Sequence, residues 1–279
     1  VDPIERVRVH AREGESEIER ADSLAVEEPL EIRVRGHAGE AATSFVTTMR
    51  TPGHDEELAA GLLYAEGVLR SRADLGSLAR PADVRIASEL RDNVVVATLS
   101  PDALARARKL VRASVMGSAC GVCGKTSIES VIPSDVPPSS SRFSVDASIL
   151  YALPERLRAG QSVFASTGGL HAAALFDVHG ALIDIREDIG RHNATDKLIG
   201  TRWLDDRLPL SDALLLVSGR AGFEIVQKAV AAGIPLIASI SAPSSLAVEL
   251  AETAGVTLIG FLRERRFNVY AHRQRVTSH

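Results

Sequence analysis

The chain holds two cysteines, and both fall in one motif, Cys120-Gly121-Val122-Cys123. A thiolate is the nucleophile and sulfur carrier of protein chemistry, and its pKa falls beside a cation or at a helix N-terminus. Both aids follow the motif in sequence. Lys125 comes directly after Gly124, and Thr126-Ser127-Ile128-Glu129 matches a capping box, so a helix is expected to start there with its positive end toward the thiols. Gly117, Gly121 and Gly124 surround the sulfurs with small residues, which predicts a mobile, accessible loop.

Other uses of a CxxC pair stay open beside sulfur transfer. A structural zinc site takes four ligands, so His171 or His192 would have to complete the two thiols. A thioredoxin-like redox pair follows a strand in a βαβ unit, which Arg112 to Met116 does not clearly provide. An inert buried pair conflicts with the glycine content of the loop. A zinc deaminase joins CxxC to an upstream H-x-E. Here His171 is followed by Ala172-Ala173, lies after the CxxC, and no proline precedes Cys120.

A second constellation lies in the C-terminal half. Ala213-Leu214-Leu215-Leu216-Val217, Ile234-Pro235-Leu236-Ile237-Ala238 and Val256-Thr257-Leu258-Ile259-Gly260 are short apolar runs of the kind that form buried parallel strands. Helical patterns from Phe223 to Ala232 and Ser245 to Ala254 separate them, ended by Gly233 and Gly255 where a C′ glycine takes positive φ. That order predicts a right-handed parallel unit, whose ligands bind outside the carboxyl ends of the strands, at helix N-termini. Beyond those ends come Ser218-Gly219-Arg220-Ala221-Gly222, Ser241-Ala242-Pro243-Ser244-Ser245 and Phe261-Leu262-Arg263-Glu264-Arg265-Arg266. Taken singly, each is ordinary turn and cap chemistry. Three on one edge predict a site for an anion with several phosphate oxygens, such as a pyrophosphate nucleotide, although no GxGxxG or Walker motif names it. Thr167-Gly168-Gly169-Leu170-His171 and the segment Arg186 to Lys197 read as loops facing the same site. His192 and Asp188 are secondary candidates there, orienting the ligand or holding Arg191.

The elements that must position these groups fall into two halves. Leu30 to Val34 and Asn93 to Leu99 alternate like strands with one exposed face. Between them, Pro52-Gly53-His54-Asp55 supplies a turn and cap, Glu56 and Glu57 suit a first helical turn, and Leu58, Ala59, Leu62 and Leu63 form an apolar face before Gly67. Ser134 to Ser141 has linker composition, and a helix from Ala147 to about Ala159 opens the second half. The expected organisation is a small α+β domain over 1–112, the CxxC loop and linker over 113–145, and an α/β domain over 146–279.

Composition narrows the function classes. The 279 residues are 45% apolar and 24% charged, as in a water-soluble globular protein, and the net charge of −4 lacks the field needed for non-specific nucleic-acid binding. No stretch reaches the roughly 20 apolar residues of a membrane span. Val1-Asp2-Pro3-Ile4-Glu5 has neither the basic start nor the apolar core of a signal peptide. The expectation is a cytoplasmic protein with no membrane or nucleic-acid partner.

Taken together, the motifs resemble the FdhD proteins, the sulfurtransferases required for active formate dehydrogenase. The likeness is carried by Met49 to Ala59 (MRTPGHDEELA), the cysteine loop, Thr167 to His171, Glu187 to Asn193 (EDIGRHN), Ser218-Gly219-Arg220, Phe261-Leu262-Arg263 and Asn268-Val269-Tyr270. It implies sulfur transfer from a cysteine desulfurase, through a cysteine persulfide, to the molybdenum or tungsten bis(molybdopterin guanine dinucleotide) before that cofactor enters the formate dehydrogenase catalytic subunit. It also implies a homodimer and a C-terminal cytidine-deaminase-like α/β/α domain. By position, Cys120 becomes the persulfide carrier and Cys123 its assisting thiol. Phe261 to Arg266 matches the cofactor-binding stretch, with Ser218, Gly219, Arg220 and His192 beside it.

Overall fold

The computed structural model describes residues 2–37, 40–81, 91–115 and 142–278. Cys120, Cys123, Lys125, the capping box at 126–129 and the linker at 134–141 lie outside the described residues.

Strands β1 (Ile4–Glu13) and β2 (Ser16–Ala25) form an antiparallel ribbon turned at Gly14, whose φ of +63° suits a residue without Cβ. Four strands, β3 (Glu28–Arg35), β4 (Thr43–Arg50), β5 (Leu75–Ala79) and β6 (Val94–Leu99), make a sheet in the order β4-β3-β6-β5. The alternation expected of residues 30–34 holds: Leu30, Ile32 and Val34 are sealed, with Glu31 and Arg33 on the other face. The expected exposed face of residues 93–99 is absent. As a central strand, β6 buries Val94, Val95, Val96, Ala97 and Leu99.

Helix α1 (Asp55–Ala65) opens with Asp55, Glu56 and Glu57, as its sequence suggests, but no side chain caps it. The carboxylate of Asp55 is instead paired with Arg50. Leu58 and Ala59 meet Leu30 and Ile32 of the sheet. Helix α2 (Pro101–Val115) follows β6 and continues past residue 112, where the small domain was expected to end.

The C-terminal half contains β7 (Val145–Asp146), α3 (Ala147–Gly160), α4 (Ser162–Thr167), β8 (His171–Phe176), β9 (Leu182–Asp188) and α5 (Arg191–Leu204). It continues with β10 (Leu214–Val217), α6 (Phe223–Ala231), β11 (Leu236–Ser239), α7 (Ser245–Thr253), β12 (Thr257–Arg263) and β13 (Arg266–Ala271). Strands β10, β11 and β12 are parallel neighbours, as their apolar runs predict. Gly233 and Gly255 take φ of +75° and +65° after the two crossover helices. The sheet itself is mixed and six-stranded, in the order β13-β12-β11-β10-β8-β9, because β8 runs antiparallel to β10 and to β9, and β13 to β12.

The sheet is covered on both sides, giving α/β/α layers. On one side Leu198, Ile225 and Leu250 of α5, α6 and α7 pack on Leu215, Ile237 and Leu258. On the other, Leu150, Leu153 and Leu157 of α3 pack on Ala174, Leu216, Leu236 and Ile259.

The two halves meet where α1 crosses α5. A Cβ on Gly61 would stand 1.9 Å from the Asp196 carbonyl oxygen, and one on Gly200 would stand 1.8 Å from that of Glu57. Only glycine at both positions lets the two backbones touch. Trp203 of α5 is buried with Leu63, Val68 and Leu99, so a side chain of the second half completes the core of the first. No helix among the described residues is long and apolar enough to cross a membrane.

Candidate functional site

Because β8 runs opposite to β10, its first residue reaches the same edge as the carboxyl ends of the parallel strands. That edge therefore gathers His171, Ser218, Ile240 and the turn after Leu262. Two backbone links fix it: Ser218 N donates to the Ala172 carbonyl at 2.9 Å, and Ile240 N to that of Val217 at 3.1 Å. The Ser218 hydroxyl accepts from Ala172 N at 2.9 Å, leaving its own proton to donate.

A cavity of about 610 Å³ opens at this edge, within the range of small-ligand and cofactor sites. Its wall comes from the end of α3 (Glu155, Leu157, Arg158), from Gln161 and Phe164, from Gly168 to His171, and from Ser218, Ile240, Leu262, Arg263 and Glu264.

Beside the cavity stand the starts of α5 and α6. Their N-cap residues are Gly190 and Gly222, and neither helix has a side-chain cap, so first-turn N–H groups remain for another acceptor. His192 Nδ1 lies 3.0 Å from Glu224 Oε2, and this bond, more than burial opposes it, holds the Glu224 carboxyl below its usual range. Burial, then the charges of Arg191 and His192, push the His171 imidazole below its ordinary value, against the weaker pull of Asp188. At neutral pH it is an uncharged donor and acceptor. Gly219 sits against it: a Cβ there would lie 3.3 Å from His171 Nδ1 and 3.5 Å from Arg191 Cδ. Arg191 Nε is buried without a hydrogen-bond partner among the described residues. Uncapped helix starts, guanidinium groups, a neutral imidazole and a hydroxyl can together hold an anionic ligand with a polar ring. Among the described residues, no three His, Cys, Asp or Glu side chains are grouped to hold a metal ion.

Behind the edge lies a joint between the halves. Asp188, fully buried, accepts from Thr51 N (3.2 Å), Gly190 N (2.8 Å) and Asn193 Nδ2 (3.1 Å), and pairs with Lys197 Nζ at 2.7 Å. Lys197 also donates to the Thr51 carbonyl at 2.8 Å, and Asn193 to that of Met49 at 2.7 Å. Arg50, fully buried, reaches Asp55 at 2.9 Å and Glu28 at 3.3 Å. Lys228 meets both carboxylate oxygens of Asp196, at 2.7 and 2.9 Å. At its rim Arg186 binds Glu57 at 2.6 Å. Burial raises the Glu57 carboxyl, but the bonds from His54 and Arg186 outweigh it and hold it at about 2.

A model of the FdhD/NarQ family matches residues 25–277. The chain belongs to this family. It is 47% identical over 274 residues to the sulfur carrier protein FdhD of Mycobacterium tuberculosis, with 97% of each chain covered. To that of Streptomyces coelicolor it is 49% identical over 263 residues, covering 92% of this chain and 90% of the relative. To that of Sulfurisphaera tokodaii it is 44% identical over 273 residues, covering 98% and 99%. The crystal structure of a Desulfotalea psychrophila protein shares the fold, with a TM-score of 0.74 at 20% identity over 99% of this chain and 100% of that one.

In this FdhD-family chain the residues named from sequence separate into three groups. Ser218, Leu262, Arg263 and Glu264 line the cavity. Gly219, Arg220, Phe261, Arg265, Arg266 and His192 flank the same edge without lining it. Cys120 and Cys123 lie outside the described residues. Phe261 takes a φ of +55° at the bulge between Gly260 and Arg263, a conformation that costs a bulky residue about 1–3 kcal/mol and marks sites under functional constraint. The Arg263 guanidinium lies 5.8 Å from its ring centroid, and that of Arg265 lies 5.9 Å from the Tyr151 ring.

Three expectations need correction. Asp188 neither faces the cavity nor holds Arg191, because its oxygens are taken up by the joint. Of the two segments read as loops, 167–171 does form the short connection from α4 to β8, with Gly168 to His171 lining the cavity, whereas 186–197 is the end of β9, a short turn and the start of α5. The polar density of 186–197 looked loop-like because Asp188, Asn193, Asp196 and Lys197 are polar yet buried. Finally, the Ser244 hydroxyl accepts from Ala247 N at 3.3 Å, so that loop is an ordinary helix cap. Glu155, Arg158, Gln161 and Phe164 carried no sequence signal, since the rotation of α3 over the sheet decides that they reach the edge.

Proposed function

We propose that this chain is a sulfur carrier serving formate dehydrogenase, and the observation that carries the proposal is near full-length identity of 44–49% to relatives named as such, in a chain whose only thiols are Cys120 and Cys123. The Cys120 thiolate attacks the terminal sulfur of a cysteine desulfurase persulfide. A new S–S bond forms on Cys120, and the donor thiolate leaves. Release of that sulfane sulfur as sulfide takes two electrons, which the Cys123 thiol supplies by closing a disulfide with Cys120.

The acceptor in this reading is the molybdenum bis(molybdopterin guanine dinucleotide), held as substrate at the strand edge. The 610 Å³ cavity, the uncapped starts of α5 and α6, and Ser218, Arg220, Arg263 and Arg191 around them support a nucleotide diphosphate there. A cytidine-deaminase-like arrangement of the C-terminal half is part of the same proposal, supported by the strand order β9-β8-β10-β11-β12 with β8 reversed between α layers. So are a homodimer, a cytoplasmic site of action and docking to the dehydrogenase catalytic subunit.

Intact-protein mass spectrometry after incubation with a cysteine desulfurase and cysteine tests the reading. The wild type should gain the mass of one sulfur, and Cys120→Ala should not. No gain in the wild type would reject sulfur transfer in favour of a chaperone that only binds the cofactor.

A further inference from the structure

The ribbon of β1 and β2 stands out from the rest of the chain. Each strand runs ten residues from a base where Val26 N donates to the Pro3 carbonyl at 2.9 Å. At that base Ser23 and Ala25 are half-buried, with Ala25 against Gly169 on the cavity rim, but residues 16–22 of β2 are all exposed. An isolated two-stranded ribbon is marginal in water, and a long free strand edge is a template for another chain. Among the described residues β2 pairs with β1 alone, and neither proline nor lysine interrupts it.

The turn fixes which backbone groups face outward. Glu13 and Ser16 are partners across the two-residue turn Gly14-Glu15, so they hydrogen-bond to each other. By alternation Ile18, Arg20, Asp22 and Leu24 also bond to β1, whereas Glu17, Glu19, Ala21, Ser23 and Ala25 direct their N–H and C=O groups to the free edge. The Ser23 N–H turns to the Asp22 carboxylate at 2.8 Å, as an edge amide without a strand partner does. Ile18, Arg20, Asp22 and Leu24 share one face, and Ile18 and Leu24 are the large apolar side chains of the ribbon left open, 44% and 47% exposed. Arg20 reaches Glu13 only at 3.4 Å, with both more than half exposed.

We propose that β2 pairs antiparallel with β2 of a second copy of this chain about a two-fold axis at Ala21, making a four-stranded sheet in the order β1-β2-β2-β1. This rests on the homodimer of the preceding reading and gives it a surface. The strand is its own complement about Ala21. Ile18 falls opposite Leu24 and Arg20 opposite Asp22, each twice, with Glu19 opposite Ser23 and Glu17 opposite Ala25 on the other face. The outward groups of Ala21, Glu19 and Ser23 supply the new ladder, and the apolar and charged pairs take the positions between, where side chains approach most closely. Moving the axis one residue either way sets Arg20 against Arg20 or Asp22 against Asp22. The other strand has no such register. Arg6, Arg8 and Arg12 share one face of β1, so pairing it with itself sets arginines opposite one another, and the assembly closes at two copies.

The test is sedimentation equilibrium of the full chain over a concentration series, with a charge swap. The wild type should be a dimer. Arg20→Asp sets carboxylates opposite one another at two places and should weaken the dimer about tenfold or more, and adding Asp22→Arg should restore it to within about threefold. Both positions are exposed, so the melting point of the fold beneath the ribbon should not move. A cross-link supplies the second reading. With Cys120→Ser and Cys123→Ser in place, Ala21→Cys puts two thiols on residues about 5.5 Å apart between Cα atoms, within disulfide reach, whereas the two copies of Glu17→Cys lie about 27 Å apart. Mild oxidation should join the first pair and not the second. A dimer indifferent to Arg20→Asp, or an Ala21→Cys chain that does not cross-link, would overturn pairing through β2 and leave the homodimer to another surface. A swap that fails to restore the dimer would overturn the register about Ala21. A monomeric wild type would overturn both the pairing and the homodimer.

Discussion

The joint between the halves and the cavity at the strand edge are both dense in polar side chains, and they differ in where the partners come from. At the joint, Asp188 alone takes four contacts from Thr51, Gly190, Asn193 and Lys197. At the cavity, Gln161 and His171 have none among the described residues, and two helices start uncapped. Inside a protein a polar group is stable only when paired. Saturated groups therefore report on architecture, whereas polar groups that face the open cavity remain available to a ligand. The segment Glu187-Asp188-Ile189-Gly190-Arg191-His192-Asn193 serves both ends. Asp188 and Asn193 bind the small sheet, Arg191 and His192 turn to the edge, and Glu187 accepts from Val163 N and Phe164 N at 3.1 and 2.9 Å, fixing α4 beside the cavity.

The sharpest way to break this contrast is at the helix crossing. Gly200→Ala drives a methyl group into the Glu57 carbonyl, and should cost upwards of about 4 kcal/mol or leave no folded protein, as read by chemical denaturation. A loss under about 1 kcal/mol would mean that α1 and α5 separate easily and that the joint does not couple the halves.

Asp188→Ala should be next in size. It strands the buried Lys197 ammonium, a change that costs about 3–5 kcal/mol, whereas Gln161→Leu should leave the denaturation midpoint where it is. Equal losses in the two variants would erase the distinction between joint and cavity.

The smallest effect is a pH dependence at the rim of the joint. Glu57 is held at about 2 against an ordinary 4.5, so its contribution to stability is complete above pH 4.5 and disappears as pH falls toward 2. Urea midpoints measured across that window should fall less steeply for Glu57→Gln than for the wild type. Parallel slopes would show that the bonds to His54 and Arg186 persist in the unfolded chain or carry no weight.

Much of this architecture follows from local sequence. The runs at 213–217, 234–238 and 256–260 had to be buried strands because they are apolar almost throughout, and Gly233 and Gly255 had to end helices because the chain there needs positive φ. Residues 171–176 are just as apolar, but the sequence could not say that they form a reversed strand, since direction is set by the partner and not by the strand itself. The same limit applies to chemistry. Residue types alone marked the cysteine pair and the glycine- and arginine-bearing edge as reactive or anion-binding. Whether Asp188 or Gln161 is spent on structure depends on groups far away in the chain, such as Thr51, 137 positions from Asp188. Only the tertiary fold brings such partners within hydrogen-bond reach, and so only the fold decides which polar residues remain free for a ligand.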